Sequence, residues 1–317
     1  MKRSRRLVER VLRRRLSAWL HYFLWSRSAR KDGFATESFG YSTQIEILNI
    51  WDSPLFPEKS SSTLFILGSG SSINDVTEEQ FAHIKVHQSI GVNFWFFHDF
   101  VPNLFSFDAG QVDKNLPRGV EETLSSLGQL LARTEITSSA PSVLYLRPLN
   151  LDRKFLMPIP TSLECRSWVS GRANLIAEDY PTLEWDLKIL LRSFFLGSTP
   201  PSVLPDNGSS IVRMVFLGLA QGFREIVLVG VDLDDRPHFW NSQAYVELYR
   251  PYVDLFPPPQ QKPHGTVSTA GRPIGNIEFL ATLGRVMEEE KIGRLWISSR
   301  KSQLASRLPQ YDWNGEI

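Results

Sequence analysis

Apolar residues in the first 25 positions recur at helical spacing: Leu7, Val8, Val11, Leu12, Leu16, Trp19, Leu20, Phe23 and Leu24 share a stripe, with Arg6, Arg10, Arg13 and Arg14 largely between them. That periodicity predicts a basic amphipathic helix. Its longest apolar-rich run, Leu16 to Trp25, is about half of the roughly 20 residues a bilayer span requires, so the helix is expected to lie in the interface. After a polar stretch the pattern changes. Thr63-Leu-Phe-Ile-Leu67 reads as a short buried strand and runs straight into Gly68-Ser-Gly-Ser-Ser72 and a helix-like segment, the opening of an α/β domain. Further apolar segments lie at Ser89 to Phe97, at Leu104 to Phe107 ending in Asp108, and at Ser142 to Leu146. Helical spacing returns over Val120 to Arg133, Leu183 to Phe195 and Gly208 to Phe223. Glu225 to Asp232 is a continuous β-branched strand of the buried, parallel kind, and a helix from about Ile277 to Glu290 and a strand at Arg294 to Ser298 close the chain.

Strands alternating with helices predict a Rossmann-like, doubly wound, mostly parallel sheet with helices on both faces. The expected organisation is a basic amphipathic helix at 1–31, a linker at 32–62, and one α/β domain at 63–317 with a mobile, Pro-rich loop at about 234–272. The single cysteine, Cys165, excludes an internal disulfide framework and a Cys-rich metal site. A net charge of +1 conceals a strong asymmetry: eleven of the 35 basic residues fall within the first 31 positions, beside Glu9 alone. The remainder carries 24 basic and 33 acidic residues, a net of −9. An acidic body excludes a broad nucleic-acid-binding face, while the basic head suits an anionic membrane surface. Subunit number is not encoded in composition, and a homo-oligomer stays open.

Three places carry candidate chemistry. The turn Gly68-Ser69-Gly70-Ser71-Ser72 brings glycines to the end of a strand, where backbone amides can cradle a phosphate, although it completes neither G-x-G-x-x-G nor a Walker sequence. Asp232-Leu-Asp234 follows the strongest strand and offers a D-x-D for Mg²⁺ or Mn²⁺ on a UDP- or GDP-sugar. His264, in Lys262-Pro-His-Gly265, is a candidate general base, and His238, in Arg236-Pro-His-Phe-Trp240, competes for that role.

In order along the chain, four segments resemble the bacterial lipooligosaccharide sialyltransferases of glycosyltransferase family 42. They are Leu64 to Ile73, Gly91-Val-Asn93-Phe-Trp-Phe96, Ser209-Ser210 leading through Gly222-Phe-Arg-Glu-Ile to Gly230-Val-Asp232, and His264-Gly with Ile277-Glu-Phe-Leu280. Ser69 and Ser71 stand where the family has Asn and Pro, and Asn207 where it has Arg. The resemblance implies an inverting glycosyltransferase that moves an acidic sugar, of the sialic acid or Kdo type, from a CMP-activated donor to a saccharide acceptor, without a required metal or other cofactor. It implies work on bacterial surface polysaccharide or lipooligosaccharide, with a lipid-linked acceptor at the inner face of the cytoplasmic membrane. Carried over, Gly68, Ser69, Gly70, Ser72, Asn93, Asp108, Ser209 and Ser210 would bind the donor nucleotide. His264 would deprotonate the acceptor, and Tyr249 or Tyr252 would assist the leaving phosphate. The rival readings are a metal-dependent UDP- or GDP-sugar transferase using Asp232 and Asp234, and a nucleotide-binding scaffold without catalysis.

Overall fold

The computed structural model describes residues 56, 61–108, 119–139, 141–148, 163, 165–170, 173–174, 177, 179–196, 204–249, 252 and 273–315. The head at 1–31 and His264 lie outside these residues. Among the described residues no helix is long and apolar enough to cross a membrane.

Among the described residues, seven parallel strands form the central sheet: β1 (Thr63–Leu67), β2 (Gln88–Val92), β3 (Leu104–Asp108), β4 (Ser142–Pro148), β5 (Cys165–Ser170), β8 (Glu225–Val229) and β9 (Arg294–Ile297), in the order β5-β4-β3-β2-β1-β8-β9. Short strands β6 (Ala173–Asn174) and β7 (Pro205–Asp206) pair with each other apart from it. The chain thus builds outward from β1 to β5, then returns to place β8 and β9 on the opposite side of β1. That is the doubly wound order expected from the alternation of elements, and it puts a topological switch point between β1 and β8.

The helices are α1 (Glu78–Lys85), α2 (Gly119–Leu131), α3 (Thr134–Ser139), α4 (Tyr180–Leu196), α5 (Ser210–Ala220), α6 (Gln243–Leu248) and α7 (Asn276–Glu289). Alternation along the strands divides the core. Leu64 and Ile66 of β1, with Ile226 and Leu228 of β8, pack into an aliphatic cluster with α4, α5 and α7. Phe65, Leu67, Val227 and Val229 face the other way, into an aromatic cluster with Trp95, Phe96, Phe97, Phe239 and Trp240. All five residues of β1 are buried, which is why an uninterrupted apolar run, rather than an alternating one, marks a central parallel strand.

Three expectations change. The glycine turn leads into a 3-10 turn at Ser71–Asp75, and a regular helix starts only at Glu78, after a capping box made by Thr77 and Gln80. The apolar segment 89–97 is two elements: β2 ends at Val92, Asn93 takes a φ of 58°, and Phe94–Phe97 form a 3-10 turn. The expected loop from 234 contains a 3-10 turn at Phe239–Asn241 and the helix α6.

Candidate functional site

An open cleft lies at the switch point. Four chain segments line it: Gly68, Ser69 and Gly70 after β1; Val92, Asn93 and Phe94 at the end of β2; Ser209, Ser210 and Ile211 at the start of α5; and Gly230 to Asp234, with Arg236, His238 and Trp240, after β8. In open parallel sheets ligands bind outside the carboxyl ends of the strands at such a crevice. The structure therefore brings six of the sequence-derived donor residues together: Gly68, Ser69, Gly70, Asn93, Ser209 and Ser210.

The glycine turn is built around a carboxylate of the protein itself. Asp232 is buried; its Oδ2 accepts the Ser72 N–H at 2.9 Å and the Ser71 hydroxyl at 3.4 Å, and its Oδ1 accepts the Ser72 hydroxyl. The amides of Gly68 and Gly70 donate to the carbonyls of Val229 and Gly230, each at 2.7 Å. These amides were expected to cradle a phosphate, yet their acceptors are in the strand β8 and its loop. The glycines have the same origin. A Cβ on Gly70 would stand 2.5 Å from the Asp232 carboxyl carbon and 2.8 Å from the Gly230 carbonyl oxygen. Gly230 has a φ of +65°, and a Cβ there would reach within 2.4 Å of Ile73. The close approach that requires Gly70 is thus between two loops of the protein. Ser72 sits beneath the cleft, not in its lining.

Asp232 and Asp234 are tied to Arg236. Its Nε donates to Asp234 Oδ2 at 2.6 Å, its backbone N–H donates to Asp234 Oδ1 at 3.0 Å, and its Nη2 stands 3.4 Å from Asp232 Oδ2. A cation held by the D-x-D would have to displace a guanidinium and break the Ser72 bonds, so these two carboxylates form a poor metal pair as arranged. Among the described residues no group of three or more His, Cys, Asp or Glu side chains is placed to hold a metal ion.

Asn93 has the opposite character. Its backbone N–H donates to the Ser106 carbonyl at 2.6 Å, while its carboxamide oxygen is buried with no hydrogen-bond partner among the described residues. An orphaned polar atom on a residue with positive φ is costly, and such residues concentrate at ligand sites. The 3-10 turn that follows rests on His98, whose Nδ1 accepts the Phe100 N–H at 2.9 Å and whose ring stacks on Trp95 at 4.6 Å. Burial pulls the His98 pKa down to about 4, so the ring is neutral at physiological pH.

His238 enters the cleft half-buried, stacked on Trp240 at 4.3 Å. Its Nδ1 lies 3.2 Å from the Ser69 carbonyl oxygen. A carbonyl only accepts, so the neutral ring carries its proton on Nδ1 and leaves Nε2 as a proton acceptor.

Tyr249 and Tyr252 lie outside the cleft lining. The Tyr249 hydroxyl donates to Asp99 Oδ1 at 2.6 Å and accepts from Arg133 Nη1. Arg133 also donates to the carbonyls of Phe96 and His98, at 3.0 and 3.2 Å. Burial, with the Asp99 bond next in weight, pushes the Tyr249 hydroxyl well above the ordinary tyrosine range. Tyr252 packs against the same aromatic cluster. As folded, Tyr249 fastens the end of α6 to the core. Asp108 ends β3, paired with Leu146 of β4. Asn207 donates to the Ile274 carbonyl at 3.3 Å and to Asn276 Oδ1 at 3.0 Å, joining the entry of α5 to the start of α7.

Sequence reasoning missed Arg236, Phe94 and Trp240 as lining residues. The signal for Arg236 was present, a lone basic residue just beyond the carboxyl end of the strongest strand.

No protein-family model matches the sequence, and no curated protein matches it. Among solved structures, the chain is similar to the Campylobacter jejuni sialyltransferase CstII in complex with the substrate analogue CMP-3FNeuAc, at a TM-score of 0.42 and 12% identity, covering 80% of this chain and 89% of that one. It is similar to the monofunctional alpha-2,3-sialyltransferase Cst-I of the same organism at a TM-score of 0.43 and 15% identity, covering 82% and 84%. CstII with cytidine-5'-monophosphate gives 0.38 and 11%, covering 80% and 86%.

Proposed function

We propose that the chain is an inverting glycosyltransferase that moves an acidic sugar, of the sialic acid or Kdo type, from a CMP-activated donor to a saccharide hydroxyl. The observation that carries this reading is convergence. Residues as distant in sequence as Ser69, Asn93 and Ser210, each a donor contact implied by the family resemblance, meet in one crevice at the switch point. In this reading the nucleoside lies against Asn93, whose unpartnered carboxamide oxygen calls for a ligand N–H or O–H. The phosphate lies towards the loop after β8 and the start of α5, an 11-residue helix whose first amides are oriented for negative charge.

The chemistry is a single displacement. The acceptor oxygen attacks the anomeric carbon, the bond from that carbon to the phosphate oxygen breaks, and CMP departs with the bonding pair. Positive charge at the sugar and negative charge at the phosphate both grow in the transition state, so fixed dipoles and donors at the phosphate do most of the stabilising. A histidine takes the acceptor proton. The resemblance assigns that role to His264; His238, which lines the cleft with its Nδ1 on the Ser69 carbonyl, is the competing base. The basic head at 1–31 would hold the enzyme at an anionic membrane surface on the cytoplasmic side, close to a lipid-linked acceptor.

The test is a transfer assay with CMP-sialic acid and CMP-Kdo on the full chain, with His264→Ala and His238→Ala compared. Loss of the base should slow transfer by about 10²-fold or more while CMP affinity stays nearly constant. Undiminished transfer in both variants would remove histidine base catalysis from the mechanism, and no transfer from either donor by the unaltered chain would contradict the donor class.

A further inference from the structure

A departing phosphate needs positive charge opposite it, and the glycine turn carries no basic side chain and holds the Gly68, Gly70 and Ser72 amides on acceptors inside the protein. Arg236 is the one lysine or arginine among the described residues that line the cleft. Its guanidinium is fixed by three anchors: Nε on Asp234 at 2.6 Å, Nη2 on the Lys301 carbonyl at 2.9 Å, and Nη2 3.4 Å from Asp232. Nη1 has no partner among the described residues. A guanidinium is planar with five N–H donors in a fixed fork, so pinning two nitrogens sets the direction of the third.

We propose that Arg236 is the residue that recognises the donor's phosphate, through the two N–H groups of Nη1, with Asp232, Asp234 and the Lys301 carbonyl as the frame that aims it. This rests on the CMP-donor reading above and deepens it, by moving phosphate recognition from the glycine turn and the tyrosines to a residue that neither motif contains. The frame also sets selectivity. With both carboxylates ionised, the trio of Asp232, Asp234 and Arg236 carries a net charge of −1, so Asp234 competes with an incoming phosphate for the same guanidinium. A monophosphate close to Nη1 is favoured by direct hydrogen bonds, whereas extra phosphate charge meets Asp234.

The test is calorimetric titration of the full chain with cytidine and with CMP, which differ by the phosphate alone. Arg236→Gln should leave cytidine affinity within about twofold and weaken CMP by about tenfold or more, the scale of a charge-assisted hydrogen bond. Asp234→Asn keeps an acceptor for Arg236 but removes the competing charge, and should strengthen CMP about threefold or more at low salt with cytidine unchanged. Equal losses for both ligands in Arg236→Gln would overturn the proposal, since Arg236 would then act only through the loop. Should Arg236→Gln fail to fold, Asp234→Asn decides alone: unchanged or weaker CMP binding overturns it. If the unaltered chain binds neither ligand, the CMP-donor reading itself fails and takes this inference with it, a result distinct from binding that ignores Arg236.

Discussion

The two walls of the cleft handle their polar groups in opposite ways. On the β1 side, the amides of Gly68, Gly70 and Ser72 are engaged inside the protein, with Val229, Gly230 and the Asp232 carboxylate as acceptors. Elsewhere around the cleft, Asn93 at the end of β2 keeps a carboxamide oxygen with no hydrogen-bond partner among the described residues, and Arg236 in the loop after β8 keeps an Nη1 without one. A turn whose groups are mutually satisfied is rigid and contributes stability; a wall with unmet groups gives stability up and gains affinity when a ligand arrives. The glycine motif that looks most functional in the sequence is therefore built largely around the protein's own carboxylate, whereas Asn93 and Arg236 bring unmet polar groups to the cleft.

That contrast predicts different consequences on the two sides. The largest belongs to the β1 side. Asp232→Ala removes the acceptor of the Ser72 N–H and hydroxyl together with the charge beside Arg236, and it should destabilise the fold by roughly 3–5 kcal/mol, the range for breaking a buried ionic network. Thermal unfolding checks this. A change below about 1 kcal/mol would mean that the Ser72 bonds are not what holds the turn.

On the other side, the Asn93 wall stands on a neutral His98. Because the folded pKa of His98, about 4, lies below the ordinary histidine value of 6.5, the unfolded chain binds the proton first as pH falls. Stability should be level above about pH 7 and should decline between pH 6.5 and 4, by on the order of 3 kcal/mol from this group. His98→Gln keeps an acceptor for the Phe100 N–H and should remove that part of the slope. Denaturant titrations across this pH range compare the two chains, and identical slopes would contradict the assignment.

The parts of the fold legible in the sequence are those where one pattern decides the structure. β1, β8 and β9 are short apolar runs bounded by polar or glycine residues, and their limits agree with the expected ones to within a few positions. The edge strand β5, Cys165–Ser170, mixes Cys, Arg, Ser, Trp and Val and gives no such run. The aliphatic face of the sheet is covered by regular helices, whose period can be read. The aromatic face is covered by helices and, between them, by 3-10 turns at Ser71–Asp75, Phe94–Phe97 and Phe239–Asn241, where aromatic packing fixes a conformation that no periodicity encodes. For the site, the order of the motifs was enough to single out Ser69, Asn93, Ser209 and Ser210. It could not show that Gly70 yields to Asp232, that Tyr249 fastens α6 to Arg133 and Asp99, or that Arg236 turns into the cleft. Each of those facts depends on contacts across more than 30 residues of chain, between segments that carry no shared local signal.

The central claim is that the cleft takes a cytidine nucleotide without a metal, with its nucleoside read by Asn93. The most direct measurement is calorimetric titration of the purified chain with CMP and UDP, each with and without Mg²⁺, repeated on Asn93→Gly, which tolerates the φ of 58° while removing the carboxamide. The account predicts selective CMP binding that Mg²⁺ does not alter, weakened about tenfold in Asn93→Gly with no loss of thermal stability. Metal-dependent UDP binding, or CMP binding indifferent to Asn93, would contradict it.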